Sequence, residues 1–164
     1  MRWTELAAFT VVFRTHEGNI PEVNHQIYSD EVTLRHFSRF AKVYAAWKPY
    51  RMELVKEASE TGLPVLRHPF IHFPRDPQVL DIDYQFMIGP ELKVAPVLDP
   101  GRESVEVYLP AGKWVHLWTA ERYGSPQGVY ETVPAPIGEP AVFYKEGSAA
   151  GTRFREELER RGLL

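Results

Sequence analysis

The sequence predicts an α/β segment followed by an all-β segment, with the change near residue 90. One observation is a stretch in which apolar residues recur at helical spacing, flanked by two short apolar runs typical of buried strands. The other is the change after Asp76-Pro77 to short β-rich runs separated by turns that contain Gly and Pro. Together they predict a parallel-type α/β unit joined to a small antiparallel sandwich.

Composition excludes several classes of function. The 164 residues are 44% apolar and 25% charged, as in ordinary globular proteins, and the net charge is −3. With no basic surface, we expect neither nucleic acid nor a membrane as a partner. The chain has no cysteine, and therefore no disulfide, thiolate nucleophile or Cys-ligated zinc site, which fits a cytoplasmic protein. It has no membrane-spanning apolar run and no secretory signal.

The first half is expected to contain three helices and two strands. Residues 1–9 are expected to form the last turns of an amphipathic helix, with no N-cap before Met1, and residues 9–13 a strand that is apolar on both faces. Ser29, with Asp30 and Glu31, is expected to open a helix.

Pro49 is expected to begin the next helix, which ends at Gly62, and residues 63–66 are expected to form a second buried strand. Two parallel-type strands cannot make a sheet that buries both faces. The sequence therefore predicts that further strands come from elsewhere.

The second half is expected to be antiparallel. Turn signals recur every 8–12 residues or so, as in a small sandwich. Thr152 is expected to cap a final helix with Phe154 and Leu158 on one face. The predicted strands are residues 92–98, 105–109, 114–118, 129–133 and 141–144.

The strongest candidate for a functional site is the polar loop that begins at Arg14-Thr15-His16. In parallel α/β folds, ligands bind just beyond the carboxyl ends of strands. Arg14 and His16 are two apart, so on an extended chain they point to the same side and can both donate to the hydroxyls of one ligand. The alternative is that Arg14 pairs with a neighbouring carboxylate and His16 is a structural histidine.

Three weaker candidates favour structural interpretations. His68 and His72 have the spacing of a metal pair only on a helix, which Pro69 disfavours, and there is no third ligand. Asp81 and Asp83 fit a solvated edge or a short helix. Trp114 and Trp118, on one face of a strand, fit core packing better than a platform for stacking sugars. We expect no cofactor and no metal.

Several motifs along the chain carry a resemblance to a known family. They are Trp3-Thr4-Glu5-Leu6-Ala7-Ala8-Phe9, Phe13-Arg14-Thr15-His16-Glu17-Gly18-Asn19, Lys48-Pro49-Tyr50, Gly62-Leu63-Pro64-Val65-Leu66-Arg67, Tyr84-Gln85-Phe86-Met87-Ile88-Gly89-Pro90, Val94-Ala95-Pro96-Val97, Tyr108-Leu109-Pro110-Ala111-Gly112-Lys113-Trp114 and Ala135-Pro136-Ile137-Gly138-Glu139-Pro140. Together they resemble glycoside hydrolase family 31, the retaining α-glucosidases and α-xylosidases, and the second motif most closely resembles the sulfoquinovosidase-like branch. The resemblance covers the chain to about Gly147.

The resemblance implies the end of a (β/α)8 barrel over residues 1–90, a β-sandwich over 91–148 and a terminal helix over 149–164. It also implies that His16 binds hydroxyls of the sugar at the cleavage subsite, with Arg14 in support. Family members use two Asp residues, a nucleophile and an acid/base. Both belong to motifs that, by the resemblance, lie upstream of Met1, so no catalytic residue is expected here and the chain is expected to depart from the family by truncation at Met1.

The resulting expectation is a C-terminal fragment of an α-glycosidase that is inactive alone. A sugar or α-glycoside is expected to bind if the barrel is complete. The alternatives are a carbohydrate-binding or oligomerisation β-module, and one half of a split glycosidase. The partner of the chain would then be a second copy of itself or the missing barrel portion.

Overall fold

A computed structural model describes residues 1–16 and 18–164. The helices are α1 (Arg2–Ala8), α2 (Glu31–Ala46), α3 (Lys48–Thr61) and α4 (Ala149–Arg160). The strands are β1 (Leu66–Arg67), β2 (Phe86–Ile88), β3 (Leu92–Ala95), β4 (Ser104–Leu109), β5 (Trp114–His116), β6 (Arg122–Tyr123), β7 (Val129–Pro134) and β8 (Ala141–Lys145). In the described residues, no helix is long and apolar enough to cross a membrane.

The strands form two sheets in which every described pairing is antiparallel. The larger has the order β1-β2-β3-β8-β5-β6, and the smaller pairs β4 with β7. Since β1 and β2 precede residue 90, the large sheet continues across the predicted change of segment. The division into three parts stays a prediction.

The large sheet is covered on both faces. One face packs against the helices, where Phe40 of α2 and Phe154 of α4 share a core with Val94 and Val142 of the sheet. The other face packs against the small sheet, and Phe143 lies in that core. The molecule is therefore three layers: helices, large sheet and small sheet.

The helix boundaries follow from capping. Asp30 accepts a hydrogen bond from the Thr33 amide at 2.8 Å, which confirms the predicted start of α2. Pro49 lies in the first turn of α3, and Gly62 ends that helix in the left-handed conformation with φ of 79°, both as predicted. The last helix is capped by Ser148 and not by Thr152, because the Ser148 hydroxyl accepts from the Gly151 amide at 2.9 Å.

The first helix takes Met1 as its N-cap. The Met1 side chain makes no capping hydrogen bond, because a thioether on an apolar chain is a poor acceptor for backbone amides. The Met1 carbonyl nevertheless accepts from the Thr4 amide at 2.9 Å and from the Glu5 amide at 3.1 Å. Met1 is therefore the N-cap of α1 and acts through its backbone carbonyl, whereas the sequence predicts a helix with no N-cap.

Both strands predicted in the first half need correction. Residues 9–13 form no strand, because they have no ladder partner in the described chain; the amides of Phe9 and Thr10 instead bond back to α1. The strand predicted over residues 63–66 is Leu66–Arg67, and it runs antiparallel to β2. The described residues therefore contain no parallel pair.

The two tryptophans lie on opposite sides of the large sheet. The prediction that they share a face is wrong, because β5 ends at His116 and the chain turns before Trp118. Trp114 packs towards the small sheet and Trp118 towards the helices. Both are buried, which confirms core packing over a sugar-stacking platform.

Candidate functional site

A surface cavity of about 830 Å³ lies between α1, the segment that follows it, and the paired strands β1 and β2. Arg14 and His16 are both exposed and both line it, so the structure brings the two predicted residues together. Glu17 of the same motif lies outside the described residues. The cavity is lined by Trp3, Leu6, Ala7, Thr10, Val12, Arg14, His16, Leu66 and Phe86.

The polar groups of this cavity are free to meet a ligand. Within residues 1–16 and 18–164, neither Arg14 nor His16 forms a hydrogen bond or an ion pair, so the alternative of a carboxylate partner for Arg14 finds no support there. Trp3 leaves 78% of its surface exposed beside them. A cation, an imidazole and an indole face are the groups that hydrogen-bond sugar hydroxyls and stack on a sugar ring.

The described lining residues include no carboxylate. Retaining glycoside cleavage needs a pair of carboxyl groups about 5–5.5 Å apart. The described lining therefore offers hydrogen-bond donors and an aromatic face but no carboxylate pair.

Met1, upstream of which the catalytic Asp motifs are expected, has a structural place beside this cavity. It does not belong to the described lining, and its carbonyl oxygen lies 3.2 Å from Nε2 of His36 on α2. The Met1 thioether has no acid or base chemistry to offer a glycoside. The placement of the Asp motifs upstream of Met1 stays a prediction.

A buried carboxylate holds α1, one wall of the cavity, against the sandwich. Glu5 is 1% exposed; its Oε2 accepts from Arg2 at 2.8 Å and its Oε1 accepts from the Gly138 amide at 2.7 Å. The His36 ring lies 3.6 Å from Oε1, and burial of that ring lowers the pKa of His36 despite the opposing effect of Glu5. Arg2 also donates to the Ala135 carbonyl at 2.6 Å.

The segment that contains the weaker candidates His68 and His72 makes structural contacts. The His68 ring bonds the Ile82 carbonyl at 2.9 Å through Nε2 and accepts from the Phe70 amide through Nδ1. Arg67 is 2% exposed and forms an ion pair with Glu57.

The companion histidine of that segment, His72, lies beside Arg67, with His72 Nε2 3.4 Å from Arg67 Nη1. Burial, followed by the charges of Arg67 and Lys145, lowers the pKa of His72. Asp81 ends the short 3-10 helix Pro77–Asp81 and is exposed, as expected for a solvated short helix.

Sequence reasoning missed two buried nitrogens that face the small sheet. Lys93 is fully buried and its Nζ has no partner in the described residues; burial lowers the pKa of Lys93 to about 7. His116 is 3% exposed with Nε2 unpartnered there, and burial lowers the pKa of His116 to about 4. The signal was Lys93 at a core position inside the apolar run Leu92-Lys93-Val94-Ala95.

Comparison with known proteins decides the family. Residues 62–149 match the family described as Glycosyl hydrolase family 31 C-terminal domain. This chain belongs to glycosyl hydrolase family 31. The match spans β1 to β8, whereas Arg14 and His16 lie before it.

Individual relatives match nearly the whole of this family 31 chain. A sulfoquinovosidase of Agrobacterium fabrum is 45% identical over 157 residues, which is 95% of this chain and 23% of that protein. One from Escherichia coli is 43% identical over 154 residues, 94% of this chain and 22% of that protein. The chain thus spans less than a quarter of these relatives.

Solved structures agree with the sequence relatives. A family 31 sulfoquinovosidase from E. rectale, in complex with an aza-sugar inhibitor, superposes with a TM-score of 0.91 at 40% identity. The superposition covers 97% of this chain and 23% of that one. An α-xylosidase of the same family from a soil metagenome gives a TM-score of 0.82 at 28% identity. The layered arrangement of helices and sheets is therefore that of the matching segment of these family 31 structures.

Proposed function

We propose that this chain forms the C-terminal part of a retaining α-glycosidase, in which Arg14 and His16 contact the sugar. The observation that carries the proposal is that both side chains line one open cavity and have no partner in the described residues. An exposed Arg and His side by side, with polar atoms uncommitted, form a donor set for hydroxyl oxygens.

The role of the pair is to bind and orient the sugar. His16 donates to a ring hydroxyl, and Arg14 supports the same ligand with its charged donors, so the sugar is fixed before the chemical step. Such bonds contribute to rate where they strengthen as the oxocarbenium-like transition state forms. The substrate class is an α-glycoside. An α-sulfoquinovoside is the first to test, since two relatives at 45% and 43% identity are sulfoquinovosidases.

The carboxylate pair would come from the portion of the enzyme that this sequence does not include. Residues 1–90 would supply the last strands and helices of a (β/α)8 barrel. The β-forming residues 9–13, which have no ladder partner in the described chain, would gain one from a preceding barrel strand. Exposed apolar side chains near the cavity support this: Trp3 is 78% exposed and Val12 64%.

A hybrid enzyme tests the proposal. In it, this chain replaces the matching segment of the Agrobacterium fabrum sulfoquinovosidase, which is 45% identical. The hybrid is expected to hydrolyse a nitrophenyl α-sulfoquinovoside, whereas the chain alone is expected to give no turnover above buffer, because two carboxylates account for many orders of magnitude in rate.

Two outcomes count against the proposal. Turnover by the isolated chain would contradict the assignment of the catalytic carboxylates to the missing portion. A folded hybrid without activity on either a nitrophenyl α-sulfoquinovoside or a nitrophenyl α-glucoside would contradict the assignment as part of an α-glycosidase.

A further inference from the structure

The segment that carries the site residues is held by side chains of α2. The Tyr44 hydroxyl donates a hydrogen bond of 2.6 Å to the Val11 carbonyl. The ring of Phe13 stacks on Phe37 with ring centroids 5.1 Å apart and on Tyr44 at 5.3 Å. Both contacts come immediately before Arg14, so α2 fixes the chain at its entry to the site.

Tyr44 is itself fixed in place by a buried cation. The Arg51 guanidinium lies 3.7 Å from the centroid of the Tyr44 ring and 4.6 Å from that of Trp47. Its Nη1 donates to the Tyr44 carbonyl at 2.9 Å, and Arg51 is 7% exposed. Burial lowers the pKa of Arg51 from its ordinary value, and no carboxylate in the described residues pairs with it. The guanidinium is thus committed to holding these two aromatic rings.

The side chains of residues 12–14 face the cavity and α2 alternately. Val12, Arg14 and His16 line the cavity, whereas Phe13 packs on the aromatic rings of α2. On an extended chain, alternate residues point to opposite sides. Holding residue 13 and the carbonyl of residue 11 therefore directs residues 12, 14 and 16 to the other side.

The contacts upstream of Val11 hold the start of the segment. The Trp47 indole donates to the Ala8 carbonyl at 2.8 Å, the Phe9 side chain is fully buried, and the Thr10 hydroxyl lies 2.8 Å from the carbonyls of Ala7 and Val12. Residues 9–13 form no ladder, and Val11 and Val12 are exposed. Beyond Thr10, the described contacts of this segment with the helices are therefore those of Val11 and Phe13 with α2.

We propose that Tyr44, held by Arg51, is a positioning residue that directs Arg14 and His16 into the cavity. The functional consequence rests on the proposed sugar-contacting role, but the structural consequence does not. Tyr44 is not among the lining residues of the cavity, and it acts through the Val11 carbonyl and the Phe13 ring.

Backbone ¹⁵N relaxation on the 164-residue chain tests the structural consequence. Tyr44→Phe keeps the ring stack and removes only the bond to the Val11 carbonyl. It is expected to lower the order parameters of residues 12–16 from about 0.8 to below about 0.6. Tyr44→Leu, which also removes the ring, is expected to lower them further. The matched control is Tyr28→Phe, since Tyr28 is 71% exposed, and it should change nothing.

Unchanged order parameters for residues 12–16 in folded Tyr44→Phe would overturn the inference. If Tyr44→Leu does not fold, Tyr44→Phe alone decides. In the hybrid enzyme, Tyr44→Phe is expected to lower kcat/KM about tenfold while the thermal midpoint falls by no more than about 3 °C, as for the loss of one partly exposed hydrogen bond.

The two proposals fail in different ways. Lower order parameters, with full activity in both Tyr44→Phe and His16→Ala hybrids, would leave the positioning contact standing and refute the sugar-contacting role. Unchanged order parameters, with activity lost in His16→Ala, would refute the positioning role alone.

Discussion

Lys93 lies in a cross-strand row on the face of the large sheet that meets the small sheet. Its neighbours in register are Met87 on β2 and Phe143 on β8, and Phe143 is in turn opposite His116 on β5. The side chain is fully buried with no partner for Nζ in the described residues. A lysine in such surroundings loses its hydration, which disfavours the charged form.

The lowered pKa of Lys93 makes stability depend on pH. The folded pKa is about 7, below the ordinary value of 10.5. As the pH falls below 10.5, Lys93 becomes protonated in the unfolded chain but stays neutral in the folded chain. The free energy of unfolding therefore decreases as the pH falls from 10.5 to the folded pKa near 7, and below that pH it no longer changes through Lys93. Lys93 is thus most costly at and below neutral pH.

Lys93→Met is expected to raise the free energy of unfolding at pH 7 by about 2–4 kcal/mol, because a flexible apolar side chain replaces an amine that must shed its proton. The gain should shrink between pH 7 and pH 10. Urea unfolding at pH 7 and pH 10 measures the gain, with Lys56→Met at an exposed position of α3 as the control. Equal stability of the Lys93→Met and wild-type chains at pH 7 would contradict the desolvation account.

At the scale of elements, local signals predict the helices and fail at the strands of the first half. Asp30, Pro49 and Gly62 act within a few residues, so their effect can be read from the sequence. Residues 9–13 have strand-forming side chains, but a strand needs a partner, and in the described chain Tyr44 takes the Val11 carbonyl instead. A contact from α2 therefore decides that residues 9–13 do not form a strand.

Gly151 sets the approach of α4 to the large sheet. A Cβ at this position would lie 2.4 Å from side-chain atoms of Tyr144 on β8, although it sits in an α-helix where alanine is ordinarily favoured.

Gly151→Ala is expected to lower the free energy of unfolding by about 1–3 kcal/mol, since the clash outweighs the gain in helix propensity of about 1 kcal/mol. Thr152→Ala, one residue along on the exposed side, gives the matched control and should be neutral or stabilising. Chemical denaturation of both variants provides the measurement, and a stabilised Gly151→Ala would show that α4 can move away from the sheet at little cost.

At the scale of the whole molecule, different features of the sequence predict the fold and the site residues. The turn and strand pattern over residues 92–144 predicted an antiparallel sandwich, and every described pairing is antiparallel. The pattern did not predict which strands pair, since β4 pairs with β7 and β3 with β8 across intervening strands. Arg14 and His16 were found from their spacing and from the motif they share with family 31. The hydrogen bond from Tyr44 that holds their segment could not be predicted, since it joins residues 33 apart in sequence.

The central claim is that this chain contributes sugar contacts to an α-glycosidase whose carboxylates lie elsewhere. The cavity containing Arg14 and His16, the exposed Trp3 and the coverage of only 23% of a 45%-identical sulfoquinovosidase support it together.

The most direct test is His16→Ala in the hybrid enzyme, with kcat/KM for a nitrophenyl α-sulfoquinovoside as the measured quantity. Lys56→Ala, at an exposed position of α3, is the control. We expect about a 100-fold loss for His16→Ala, as for removal of a donor that acts in the transition state, and no change for Lys56→Ala. A folded His16→Ala hybrid with unchanged kcat/KM would contradict the claim.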